Sequence, residues 1–125
     1  MILDTNALSA FIDGDRALGQ RLAGLGHASI PVIVLGEFRY GIAGSRHRAA
    51  YEAWLDEHLP DFDVLAVSAA TAVVYADVRL ALKKKGRPIP ANDVWISALA
   101  LEHRLPVLTR DTHFDAVPGL RRVGW

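Results

Sequence analysis

The sequence predicts an α/β fold built on a mostly parallel sheet, and two observations predict it. Short apolar runs alternate with longer stretches of helical period, the signature of βαβ units whose sheet is covered on both faces. The chain has 125 residues, of which 51% are hydrophobic and 22% charged, enough to bury one core in a single domain spanning 1–125.

The elements follow in order. "MIL" reads as a first buried strand. In "ALSAFIDGDRALGQRLAGL", Leu8, Phe11, Ile12, Leu18, Leu22 and Leu25 recur at helical spacing, interrupted at Asp13-Gly14-Asp15. "HASIP" is a brief strand, and Pro31 stands where a helix can begin. "VIVLGEFRYGIA" is the next helix, with Leu35, Phe38 and Ile42 on one side. Ser45 is placed to cap a further helix through Leu59. "DVLAV" is a strand, Ser68 an N-cap for "AATAVVYADVRLALKKKG", and Gly86 the stop. "RPIPAND" is a loop in which Asn92 is placed to cap "DVWISALALEHR". "LPVLT" is a strand, "RDTHFDAVPG" a loop, and "LRRVGW" a last short strand.

Composition excludes several classes. There is no cysteine, hence no disulfide scaffold, thiolate metal site or cysteine nucleophile. Asp4 interrupts the N-terminus before a signal peptide can form, and no apolar run is long enough to span a bilayer, so the expectation is a cytoplasmic protein with no membrane partner. The 14 acids balance 14 Lys and Arg, which argues against a sequence-independent coat for nucleic acid. Zero net charge still permits an acidic pocket with a basic rim. Basic residues do cluster, in "KKKGR", "SRHR" and Arg121-Arg122, although each cluster also reads as a solvated helix end.

Most acids lie in turns or on polar faces, and Glu102, beside His103 and Arg104, reads as surface charge at a helix end. Four resist that reading. Asp4 follows "MIL" directly and Asp111 follows "PVLTR", placing both at strand ends, where ligands of parallel α/β sheets bind. Glu37 has Ile33, Val34, Tyr40 and Gly41 at its helical neighbour positions, and Asp93 has Ile89, Pro90, Ile96 and Ser97, so neither has a local cation. Taken singly, each also fits a cap, a turn or a core-edge pairing. Together they suggest convergence. Two carboxylates about 4 Å apart repel by roughly 4 kcal/mol at an effective dielectric near 20, so a shared pocket must take up protons or hold a cation. Oxygen ligands suit Mg²⁺ or Mn²⁺. Zinc is disfavoured, because the five histidines show no ligand spacing.

In order and spacing, "MILDTN", "VIVLGEFRYGI", "PIPANDVWISALAL" and "PVLTRDTHF" resemble the motif segments of the PIN-domain family. The nearest branch is the VapC toxins of prokaryotic type II toxin–antitoxin systems, and the likeness spans essentially the whole chain. What this resemblance implies is a PIN-like three-layer α/β/α sandwich and a Mg²⁺- or Mn²⁺-dependent endoribonuclease. Its catalytic and metal-binding pocket would be formed by Asp4, Glu37, Asp93 and Asp111, with Asp4 and Asp93 foremost as ligands. Thr5 or Asn6 would orient Asp4 or the substrate phosphate, and Thr109 would support the pocket. A metal-activated water would cleave RNA (tRNA, rRNA or mRNA), leaving a 5′-phosphate and a 3′-hydroxyl and halting growth. The family further implies a homodimer and a VapB-type antitoxin whose extended tail blocks the pocket. One departure stands out. Where relatives often carry a further acid, this chain has His113, expected to be exposed, with Asp115 as a fifth acid beyond it.

Two other classes compete. An acid-pocket phosphatase would need an acid where Asn6 stands, and a phosphoacceptor domain would need a lysine near the last strands, where "LTRD" offers only Arg110. A catalytically silent PIN-like binding module would act through partners alone, which four retained acids argue against. Trp54, Phe38 and Tyr40 are candidates for a partner face, with at least two of them expected in the core.

Overall fold

The computed structural model describes residues 1–125. Five strands, β1 (Ile2–Leu3), β2 (Ser29–Pro31), β3 (Asp63–Leu65), β4 (Val107–Leu108) and β5 (Arg122–Val123), form one sheet in the order β3-β2-β1-β4-β5. Every pairing is parallel, so the sheet is wholly rather than mostly so. Six helices pack around it: α1 (Thr5–Ile12), α2 (Arg16–Leu22), α3 (Val32–Ile42), α4 (Arg48–His58), α5 (Ala69–Lys84) and α6 (Ala91–His103). Two 3₁₀ turns, Leu59–Asp61 and Thr112–Ala116, complete the fold.

Alternation along the strands divides the core. Ile2 and Val107 join Ile30, Phe38, Leu55 and Ile96 in one cluster, while their neighbours Leu3 and Leu108 join Ala7 and Leu18 in another. Successive strand residues face opposite sides of a sheet, so this split is the three-layer α/β/α arrangement read at the level of side chains. A third cluster, including Val78, Leu82 and Val94, joins α5 to α6.

The predicted turn at residues 13–15 is present: α1 ends there and Asp15 caps α2, accepting from Leu18 N at 3.0 Å. Ser68 and Thr71 form a reciprocal capping box at the start of α5, and Gly86, at φ +67°, closes its far end. Two predicted caps differ. Ser45 Oγ accepts from His47 N within a turn, and α4 begins only at Arg48. Asn92 lies inside the first turn of α6, which Pro90 precedes without a side-chain cap. Of the three aromatics offered as a partner face, Phe38 is buried and Trp54 packs edge-to-face on Phe11 at 5.8 Å, whereas Tyr40 is 86% exposed. No helix is long and apolar enough to cross a membrane.

The strand order reverses direction between β1 and β4, since β2 and β3 extend to one side and β4 and β5 to the other. This switch point opens a crevice beyond the carboxyl ends of the two central strands. Asp4 and Thr109 are the first residues past those ends.

Candidate metal and active site

The site begins with Asp4, which is only 5% exposed. Its Oδ1 caps α1, accepting from Thr5 N at 2.8 Å, and its Oδ2 accepts from the Thr109 hydroxyl at 2.8 Å. Thr109 is fully buried and its oxygen also accepts from Asn6 Nδ2 at 3.1 Å and from Asp111 N at 3.0 Å. Asn6 Oδ1 in turn accepts from Arg110 N at 3.3 Å. The loops after β1 and β4 are thereby stitched together through three short polar side chains.

Glu37 enters from α3. Thr5 Oγ1 donates to its Oε2 at 3.4 Å, while Oε1 is buried without any hydrogen-bond partner. Asn92 on α6 lies near enough to this carboxylate to favour its charged form. An orphaned carboxylate oxygen inside a protein is costly, and it points to a ligand or cation that would complete it. Asp93 enters from the first turn of α6, and Asp111 caps the 3₁₀ turn, accepting from His113 N at 2.9 Å.

That turn brings back a residue the sequence left outside. His113 is half-exposed, as expected, but its Nδ1 lies 3.1 Å from Asp93 Oδ2 and 3.1 Å from Asp111 Oδ1. One ligand atom each from Asp93, Asp111 and His113 fall within 4.8 Å of one another. The available signal was the Asp-x-His spacing, because an aspartate that caps a tight turn folds the second following residue back over itself. Asp115 is turned away, held by the guanidinium of Arg122 at 2.7 and 3.1 Å.

Electrostatics follow the geometry. Burial, then repulsion from Asp4 and Asp93, pushes the Glu37 carboxyl above its ordinary range. Burial also raises Asp4, against the hydrogen bonds from Thr109 and Thr5 and with repulsion from Asp111. Asp93 is raised by burial and by the charges of Asp4 and Asp111, with its bond to His113 opposing. His113 is raised in turn, chiefly by that bond to Asp93. The seven residues the sequence singled out, Asp4, Thr5, Asn6, Glu37, Asp93, Thr109 and Asp111, are thus brought to one mouth by β1, α1, α3, α6 and the β4 loop. Glu102, read as plain surface charge, instead accepts from the buried Thr71 hydroxyl at 2.7 Å, which fastens α6 to α5.

A parallel α/β domain with carboxylates gathered at its switch point belongs to a class whose pockets take hard divalent cations. The oxygen-dominated donor set and the unpartnered Glu37 oxygen fit such an ion. The chain belongs to the PIN-domain family, whose sequence model matches residues 1–120. It is 34% identical to "Ribonuclease VapC5" of Mycobacterium tuberculosis (strain ATCC 25618 / H37Rv), an alignment covering 98% of this chain and 90% of the relative. A chain of VapBC2 from Rickettsia felis, solved bound to a DNA fragment from their promoter, superposes with a TM-score of 0.91 at 26% identity, covering 99% of this chain and 97% of that one. VapBC-5 from Mycobacterium tuberculosis, described as a toxin–antitoxin system, gives a TM-score of 0.73 at 32% identity over 98% and 97% of the two chains.

Proposed function

We propose that this protein is the toxin of a type II toxin–antitoxin pair: a divalent-metal-dependent endoribonuclease in which residues 1–125 act as one PIN domain. The observation that carries the reading is the convergence of Asp4, Glu37, Asp93 and Asp111, from four separate parts of the chain, on a site where a buried carboxylate oxygen has no partner. Mg²⁺ or Mn²⁺ would be held by those four carboxylates, with Asp4 and Asp93 foremost. When bound, the metal supplies a water of lowered pKa and neutralises charge on a phosphodiester.

The protein's own groups do the rest. Thr109 and the Thr5 amide each hold one oxygen of the Asp4 carboxylate, which fixes its position at the end of β1. Asn6 holds Thr109 and the Arg110 amide, which keeps the β4 loop closed on α1. Glu37 Oε1 is the buried acceptor of the site that no protein donor satisfies. Arg110 is committed elsewhere, 3.5 Å from Asp15 and over the Trp125 ring at 4.4 Å, so it does not supply the cation a phosphoacceptor site requires. The substrate is RNA, and the partners are a VapB-type antitoxin and a second copy of this chain in a homodimer. Likeness to proteins solved as VapBC complexes supports the antitoxin.

Inducing the wild-type chain in cells is expected to arrest growth and to yield new RNA 5′ ends on sequencing. Asp4→Asn and Asp93→Asn abolish both while keeping the folded circular dichroism spectrum. Full toxicity in either variant overturns the mechanism.

A further inference from the structure

We propose that the α5–α6 edge carries a basic track that holds the RNA strand's phosphates on one side of the scissile position, formed by Arg79, Lys83 and Arg87 and entering the acidic site at His113. This deepens the ribonuclease reading and rests on it.

Two adjoining cavities define the track. One, of about 360 Å³, is lined by Arg87, Pro88, Ile89, Thr112 and His113 among others, so it opens directly beside the carboxylate cluster. The second, of about 540 Å³, lies between α5 and the following loop and is lined by Arg79, Lys83, Pro88 and Ile89. Pro88 and Ile89 line both, so the two cavities adjoin across these apolar residues, with Arg79 and Lys83 on one side and Arg87 on the other.

None of the three cations is in an ion pair. Arg87 feels the charge of Asp115, but that carboxylate is already bound through both oxygens to Arg122. Arg79 is held in place: its Nη1 donates to the Tyr75 hydroxyl and its guanidinium lies 5.8 Å from the ring centre. Tyr75 itself stacks on Trp95 at 3.9 Å, two residues along α6 from Asp93. Arg79 and Lys83 stand four residues apart on α5, about 6 Å along its axis and on one face. The lysines closing α5 also complement its dipole, but that accounts neither for Arg79 upstream nor for Arg87 beyond the helix end. A line of unpaired cations over an apolar floor, ending at an acidic cleavage site, suits a single nucleic-acid strand: the cations bind its phosphates and the floor its sugars and bases.

Phosphate contacts announce themselves through salt. Binding of a fluorescein-labelled oligouridylate in EDTA, followed by anisotropy across a KCl series, is compared between the wild-type chain, Arg79→Gln/Lys83→Gln/Arg87→Gln and the control Arg16→Gln/Arg46→Gln/Arg48→Gln. Removing three phosphate contacts makes the log K against log salt slope shallower by about 2, at roughly 0.7 per contact. Affinity at low salt falls at least several-fold, and in Mg²⁺ the KM for a cleaved RNA rises with kcat little changed. The control keeps the wild-type slope. A track variant with wild-type slope and KM overturns the proposal while a cleaving wild type leaves the ribonuclease reading standing. A wild-type chain that neither binds nor cleaves RNA overturns both. Loss of binding to an oligoglutamate peptide with the RNA slope unchanged makes the groove a protein-docking surface and likewise overturns it.

Discussion

The Thr109 hydroxyl donates to Asp4 Oδ2 across 2.8 Å, joining the ends of the two central strands at the point where the sheet changes direction. Both groups are buried, so the bond is not replaced by water if it is lost. Thr109→Val keeps the shape but removes both the donor to Asp4 and the acceptor for Asn6 Nδ2 and Asp111 N. It is expected to lower stability by about 1–3 kcal/mol, the cost of leaving buried polar groups without their partner, and to weaken metal binding because Asp4 keeps only the Thr5 amide and a long contact from Asn6. Thr109→Ser restores most of both. Urea unfolding and calorimetric Mn²⁺ titration read the two effects separately.

A divalent ion should stabilise the native state strongly, since it relieves repulsion that the unfolded chain does not have. At a hundredfold excess over Kd the gain is about 2.7 kcal/mol, on the order of ten degrees in Tm for a domain of this size. Calorimetry in EDTA against Mg²⁺ tests it, and an unchanged Tm would remove the metal from the site.

The same charges fix a pH dependence in EDTA. Asp4, Glu37 and Asp93 have folded pKa values above their unfolded ones, so the native state holds protons there more tightly. Stability therefore falls as pH climbs from the ordinary carboxylate range through the raised values. His113 acts in the same direction: its pKa is raised, and its contribution is lost as pH rises through the folded value. Asp15 and Asp115 are shifted downward, so what they contribute is lost only on acidification below the usual carboxylate range. The expected result is a metal-free Tm that declines from mildly acidic to neutral pH, and a Mg²⁺-induced gain that widens over the same interval.

His113→Asp would add a carboxylate to the cluster and remove the imidazole between Asp93 and Asp111. The metal-free protein is expected to lose stability and the metal affinity to rise, both visible in one calorimetric titration. His113→Ala loses stability without the gain in affinity.

Asp115→Asn should leave metal binding and cleavage unchanged, because its carboxylate faces Arg122 rather than the cluster. Isothermal titration of this variant beside Asp111→Asn separates the acids of the site from the acid that only fastens the 3₁₀ turn to β5.

Much of this arrangement was legible in the residues. Asp4 and Asp111 announce themselves by following apolar strands, and Glu37 and Asp93 by lacking a cation within helical reach. What those local rules miss is set by tertiary contact. Ser45 has the chemistry of a cap, yet the chain makes another turn before α4 starts at Arg48. Glu102 neighbours His103 and Arg104 in sequence but answers to Thr71, 31 residues away. His113 joins the cluster because Asp111 curls the loop, a rotation that no periodicity encodes. The strand order, too, emerges only when β4 pairs with β1 rather than with its predecessor in sequence, β3.

That pairing has a consequence for synthesis. β1 can pair with β2 early, but its other neighbour, β4, lies more than a hundred residues further on, and Asp4 waits for Thr109, 105 positions downstream. A half-made polypeptide therefore has its first acid and none of the scaffold that aims it. The cell that translates this chain is exposed to its chemistry only once synthesis has passed Thr109.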